Sequence, residues 1–118
     1  MSQISKNFQR AEFACKCGCG FDTVDAVLLR VVQDVRKHFN APITITSGCR
    51  CESHNANVGG SPNSQHLRGR AADIQVEGVD PPLVSQWLEK TYPDLSIGRY
   101  DTFTHIDTRT NGPARWRG

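Results

Sequence analysis

The sequence predicts an α+β fold, a small and mainly antiparallel sheet backed by helices. Three observations carry this. Residues 22–39 have apolar side chains at helical spacing, and four short runs, 43–47, 71–76, 96–100 and 103–108, read as strands. The triplet Asp80-Pro81-Pro82 then opens a second helix between the second of those strands and the third. At 118 residues the chain is long enough for one modest core, so residues 1–118 are expected to form a single domain.

The first 21 residues lack a clear period and contain Cys15-Lys16-Cys17-Gly18-Cys19-Gly20, which reads as a loop-rich N-terminal wrap. Val24, Val27, Leu28, Val31, Val32, Val35 and Phe39 form the apolar stripe of the first helix. Asp22 or Thr23 is its expected cap, and Asn40 and Pro42 end it. His38, in the last turn, favours the negative end of that helix. Ile43-Thr44-Ile45-Thr46-Ser47 alternates in the strand manner and stops at Gly48.

Residues 48–69 are rich in Gly, Ser, Asn and Pro, and so long a loop in so small a domain points to function. The stretch from Ala71 to Val76 returns to a strand. In the following helix Asp80 is the expected cap, Leu83, Val84, Trp87 and Leu88 face the core, and Tyr92-Pro93 closes it. Trp116 is open to packing over a cleft or lying on the surface.

Fourteen basic and twelve acidic side chains leave a net charge of +2. That balance argues against nucleic acid as a partner, although Arg99, Arg109, Arg115 and Arg117 make the end of the chain locally basic. No apolar run approaches membrane-spanning length, and the start Met1-Ser2-Gln3-Ile4-Ser5-Lys6 lacks a signal peptide's apolar stretch. The expectation is a monomer made in the cytoplasm, with no membrane insertion and with another route out for any extracellular work.

Two imidazoles and a carboxylate, from His66, Asp73 and His105, offer the three-ligand set that a catalytic zinc ion uses while keeping a fourth position open if they converge; the alternative is solvated or hydrogen-bonded side chains. The spacing of seven between His66 and Asp73 does not suit two ligands on one helix. It suits a loop residue folding back over Gly69 to meet the start of a strand. In Phe103-Thr104-His105-Ile106-Asp107 the strand alternation puts His105 and Asp107 on one face and Ile106 on the other. Imidazoles with a carboxylate suit zinc best among the divalent metals.

Five cysteines, at 15, 17, 19, 49 and 51, exclude an all-disulfide framework within one chain. Cys15, Cys17 and Cys19, together with Cys51-Glu52-Ser53-His54, resemble two halves of a second, structural zinc site. The alternative is a set of reduced thiols, or one bridge between the N-terminal loop and the Cys49/Cys51 loop.

Several segments in order resemble the signatures of the M15 metallopeptidases. They are Thr46-Ser47-Gly48-Cys49-Arg50, Asn55 with Val58-Gly59-Gly60, the run Ser64-Gln65-His66-Leu67-Arg68-Gly69-Arg70-Ala71-Ala72-Asp73-Ile74, and His105-Ile106-Asp107-Thr108-Arg109. The likeness runs from about Phe8 to Trp116 and is strongest to the branch related to D-alanyl-D-alanine carboxypeptidases and peptidoglycan-cleaving endolysins. It implies the fold shared with the hedgehog signalling domain and zinc held by His66, Asp73 and His105. It implies further that Arg50 binds the scissile carbonyl oxygen and that Ser64 contacts the substrate. The implied substrates are peptidoglycan stem peptides or cross-links, reached in the bacterial cell wall after holin-type release or as part of a virion.

The family usually places a general base just upstream of the last histidine ligand, as a carboxylate three residues before it or a histidine two before. Those positions here hold Thr102 and Phe103, neither of which moves a proton usefully. The nearest substitutes are Asp107 and Asp101. At about 3.3 Å per residue they stand about 7 Å and about 13 Å along the strand from His105, which favours Asp107. A bulge near Asp101 would overturn that ranking. Asp107 has a second reading, as the group that holds His105 in its tautomer.

The function expected from these residues is a zinc-dependent peptidase in which the metal activates water, Arg50 stabilises the oxyanion and an aspartate shuttles the proton. The competing expectation is a non-catalytic, metal-containing cell-wall-binding or virion module of the same fold, favoured by the missing upstream base.

Overall fold

The computed structural model of the chain describes residues 3–118. Met1 and Ser2 of the expected N-terminal wrap lie outside the described residues. Two short strands, β1 (Gln3–Ser5) and β2 (Phe8–Gln9), pair at the N-terminus, followed by a 3-10 turn at Arg10–Phe13. The main sheet comprises β3 (Ile43–Ser47), β4 (Ala71–Val76), β5 (Ser96–Arg99), β6 (Thr104–Asp107) and β7 (Arg115–Arg117). Their spatial order is β3-β4-β6-β5-β7, antiparallel throughout except for the parallel pair β5 and β7. The helices are α1 (Ala26–Phe39), α2 (Glu52–Asn57) and α3 (Pro81–Thr91), with a 3-10 turn at Gln65–Arg68. This is the α+β architecture the sequence predicts.

The sheet sorts its residues by face. Ile43 and Ile45, Ala72, Ile74 and Val76, Ile97 and Ile106 enter one hydrophobic cluster with Leu28, Val31, Val32 and Val35 of α1 and Val84 and Leu88 of α3. Strand side chains alternate, so Asp73, His105 and Asp107 are turned to the opposite face. Helices α1 and α3 therefore cover one side of the sheet and leave the other for chemistry.

Details differ from the sequence expectation. Helix α1 starts at Ala26 rather than after Asp22, and its cap is Asp25, whose carboxylate accepts from the Leu28 amide at 3.0 Å. Asp25 itself stays extended, with its amide bonded to the Gly69 carbonyl at 2.8 Å. The buried stripe is Leu28, Val31, Val32 and Val35, the i, i+3, i+4, i+7 set, which leaves Val27 56% exposed. Leu83, expected in the core, is 53% exposed at the first turn of α3. His38 stacks on Trp87 with ring centroids 4.3 Å apart, and the end of α1 is closed by Asn40 at φ 49.

The 48–69 segment contains two short polar helices, capped by Cys51 Sγ and Ser64 Oγ, that carry no apolar period. The N-terminal wrap is more than loop, since Phe8 and Phe13 are buried in the core.

Candidate metal centre and active-site cleft

Pairing of β4 with β6 sets Asp73 directly opposite His105. Asp73 Oδ1 lies 2.8 Å from His105 Nδ1 and 3.3 Å from His66 Nε2. One donor atom from each of the three residues lies within 4.8 Å of the others, and all three residues are buried. His66 reaches the strands from the 3-10 turn. There Ser64 Oγ accepts from the His66 amide at 3.2 Å, and Gly69, at φ 67, turns the chain into β4.

The other nitrogen of each ring is engaged behind the cluster. His66 Nδ1 lies 2.6 Å from the Gly48 carbonyl oxygen, and His105 Nε2 lies 2.7 Å from Asp107 Oδ2. Each ring thus has an acceptor behind it and turns its other nitrogen toward Asp73, the arrangement found around metal-ligating histidines. Two imidazoles and a carboxylate on one side of a cleft fit a three-ligand zinc site by the chemistry of the donor set.

Asp107 is fully buried, and Arg109 grips it with Nε to Oδ1 at 2.8 Å, Nη2 to Oδ2 at 2.7 Å and its own amide to Oδ1 at 3.2 Å. Burial pushes the Asp107 carboxyl up, but the bonds from Arg109 and His105 outweigh it and hold the group well below the usual carboxylate range. Burial likewise raises Asp73, and the hydrogen bonds and charge of His105 and His66 override it, so that carboxyl is also held low. For His105 burial acts downward, but the two carboxylates prevail and raise it above the ordinary histidine value.

Neither expected proton carrier faces the cleft. Asp107 touches His105, but its carboxylate is enclosed between that ring and Arg109. Asp101 is exposed and lines a separate depression of about 100 Å³ with Pro81, Pro82 and Arg117.

Arg50 follows the end of β3. Its Nε donates to Ser47 Oγ at 3.0 Å, Nη1 donates to Asn55 Oδ1 at 3.2 Å, and Nη2 stands 3.6 Å from Asp73 Oδ2. The guanidinium is thus fixed beside the three donors. Arg50, Ser64, His66, Asp73 and His105 all line a cleft of about 660 Å³.

The opposite wall is aromatic. Trp116 lies 4.9 Å from the His105 ring and donates from Nε1 to the Tyr100 hydroxyl at 2.9 Å, while Tyr100 stacks on Phe103 at 4.3 Å. Gly98 makes room for this, since a Cβ there would fall 2.6 Å from the indole. Asn55, Tyr100 and Arg109 have no role assigned from sequence. The available signal for Arg109 is the alternation Asp107-x-Arg109, which predicts a shared face.

A second cluster gathers four of the five cysteines. Cys15 Sγ is 3.4 Å from Cys17 Sγ and 3.9 Å from Cys51 Sγ, Cys17 and Cys51 are 3.7 Å apart, and Cys19 joins them within 4.8 Å. His54 is not part of this group; its backbone amide donates to Cys51 Sγ at 3.4 Å. Cys49 is buried apart, with its thiol donating to the Phe21 carbonyl at 3.0 Å. All five cysteines are free of disulfides.

The geometry agrees with what comparison finds. The probable peptidoglycan L,D-endopeptidase MepK of Haemophilus influenzae is 34% identical over 87 residues, covering 67% of this chain and 45% of that protein. The chain thus matches less than half the length of that relative. The profile of the Peptidase M15 family matches residues 6–107, a span that takes in Arg50, His66, Asp73 and His105. With most of its length matched, the chain belongs to the peptidase M15 family.

Proposed function

We propose that this chain is a zinc-dependent peptidase that hydrolyses amide bonds in the stem peptides or cross-links of peptidoglycan, and so acts on the bacterial cell wall. The single observation that carries the reading is the convergence of His66 Nε2, Asp73 Oδ1 and His105 Nδ1 beside the fixed guanidinium of Arg50. The peptidoglycan substrate and the cut within a peptide are supported by the name of the MepK relative.

His66, Asp73 and His105 would hold the ion, which supplies a Lewis acid able to polarise a carbonyl and acidify water. The remaining work belongs to the chain. Arg50 donates to the oxygen of the scissile carbonyl as negative charge develops there, and its bonds to Ser47 and Asn55 remove the cost of orienting it. Asp107 anchors the His105 ring through Nε2 and turns Nδ1 toward the other two donors, so it is a positioning residue. Gln65 Oε1, buried at the cleft and without a hydrogen-bond partner, is an acceptor for a substrate N–H. Trp116, Tyr100 and Phe103 offer an apolar wall to the short side chains of a stem peptide.

One observation favours a second reading, a non-catalytic wall-binding or virion module. Among the residues lining the cleft, Asp73 is the only carboxylate, and it belongs to the donor set. Digestion of isolated peptidoglycan by zinc-loaded and by chelated protein separates the two. The peptidase reading expects zinc-dependent fragments whose masses locate the cut, and absence of release from walls of several chemotypes selects the binding module.

A further inference from the structure

The geometry points to a tetrathiolate zinc site made by Cys15, Cys17, Cys19 and Cys51, which staples the N-terminal arm to the segment carrying Arg50. This stands on thiol geometry alone and does not depend on the peptidase reading.

The sulfur spacing is the first argument. A Zn–S bond of about 2.3 Å sets the sulfur–sulfur edges of a tetrahedron at about 3.8 Å. Three of the edges here measure 3.4, 3.7 and 3.9 Å, and every pair lies within 4.8 Å. A disulfide requires about 2.0 Å, and pairing any two of these sulfurs would leave the other two crowded against it.

The loop is shaped for convergence. Gly18 and Gly20 sit at φ 81 and 92, a conformation that closes the chain around Cys19 and that other residues rarely adopt. The Cys15 amide donates to the Phe21 carbonyl at 2.7 Å and the Gly18 amide to the Cys15 carbonyl at 3.2 Å, so both ends of the knuckle are tied. Two amides already point at sulfur, Cys51 N at Cys15 Sγ and His54 N at Cys51 Sγ, each at 3.4 Å. Such N–H donors stabilise thiolates in the way outer hydrogen bonds support metal ligands. Cys17 and Cys19 are exposed, which gives an ion a path in, while Cys49 is turned away to the Phe21 carbonyl.

The site has a structural consequence. Three successive amides hold the Arg50 segment: Cys49 N to the Phe13 carbonyl, Arg50 N to the His66 carbonyl and Cys51 N to Cys15 Sγ. The staple therefore fixes the backbone from which the Arg50 guanidinium reaches Asp73. Binding converts four thiols to thiolates around one Zn²⁺ and releases four protons to solvent, with no oxidation.

Metal content and cobalt spectra of the full chain test this. Wild-type protein should carry about two zinc ions per chain, and H66A and the double variant Cys17→Ser/Cys19→Ser about one each. Cobalt-loaded wild type and H66A should both show near-ultraviolet thiolate-to-cobalt charge transfer, which the double variant lacks. The H66A spectrum decides the matter even where the cysteine variant fails to fold. A wild-type protein with one zinc ion that H66A abolishes, or cobalt-loaded H66A without the thiolate band, overturns the inference and leaves the cysteines as reduced thiols.

Discussion

The two side-chain clusters of this molecule are built on different supports. His66, Asp73 and His105 are buried, and two of them stand opposite each other on paired strands whose other face is core. Cys15, Cys17, Cys19 and Cys51 come from loops, and two of them are exposed. The first cluster can be held in shape by the sheet and by acceptors behind each ring. The second is held by two glycines and a few amides, so its order depends on what binds it. Arg50 and Cys51 are neighbours in sequence, and through them the loop cluster reaches the sheet cluster.

The largest expected effect comes from removing a donor of the sheet cluster. His105→Ala should abolish metal at that centre and reduce hydrolysis to background, with the thiolate cluster retaining its ion; total zinc and peptide release measure the two halves separately. Arg50→Ala should leave metal content intact and lower kcat by about 10²–10³-fold, the usual loss for one oxyanion donor. A normal kcat in that variant would show that the guanidinium serves only the Asp73 ion pair.

Asp107→Asn keeps the shape but removes the charge behind His105. Zinc affinity at the sheet cluster should fall by about 10–100-fold, as for other groups behind a ligand, while affinity at the thiols stays unchanged. Competition against a chromophoric chelator reads both.

The pH dependence sharpens the contrast further. Asp73 and Asp107 are held low, so their contribution to stability is present above about pH 3.9 and is lost as pH falls through their depressed values. His105 is held high, so its contribution is present below about pH 6.5 and is lost as pH rises through its raised value. The metal-free cluster is therefore most stabilising between about pH 4 and pH 6.5. Zinc must displace a proton from His105 in that range, so the rise in Tm that zinc gives should grow with pH from about 5 to 8. Thermal melts of the Cys17→Ser/Cys19→Ser protein isolate this effect, and a zinc shift that is flat across that range would argue against His105 as a ligand.

The smallest effect is expected at the aromatic wall. Trp116→Ala removes the ring beside His105 but no metal-ligating atom, so KM should rise by roughly 10-fold or less with little change in metal content.

Much of this was legible from residues. Strands β3 and β4 match their expected limits because alternating or apolar runs end at Gly48 and begin after Gly69. The sheet cluster was legible only as three candidate donors from the alternation of Phe103 to Asp107 and the turn at Gly69, and the resemblance to the M15 signatures singled them out. The start of α1 was not legible, because Asp22, Thr23 and Asp25 are all cap formers and only the tertiary bonds of Asp25 to Gly69 and Thr108 choose among them. The enclosure of Asp107 depends on Arg109 folding back over it. Trp116 reaches the cleft through a parallel pairing of β7 with β5, a non-local event without a sequence period. The choice of Cys19 over His54 rests on loop conformation at Gly18 and Gly20.

The most direct test of the sheet cluster as a catalytic centre is mass spectrometry of peptidoglycan digested by zinc-loaded wild-type protein and by zinc-loaded His105→Ala. Wild type should yield peptide fragments with new free amines, lost on chelation, and the variant none above background. Equal release by the variant would contradict it.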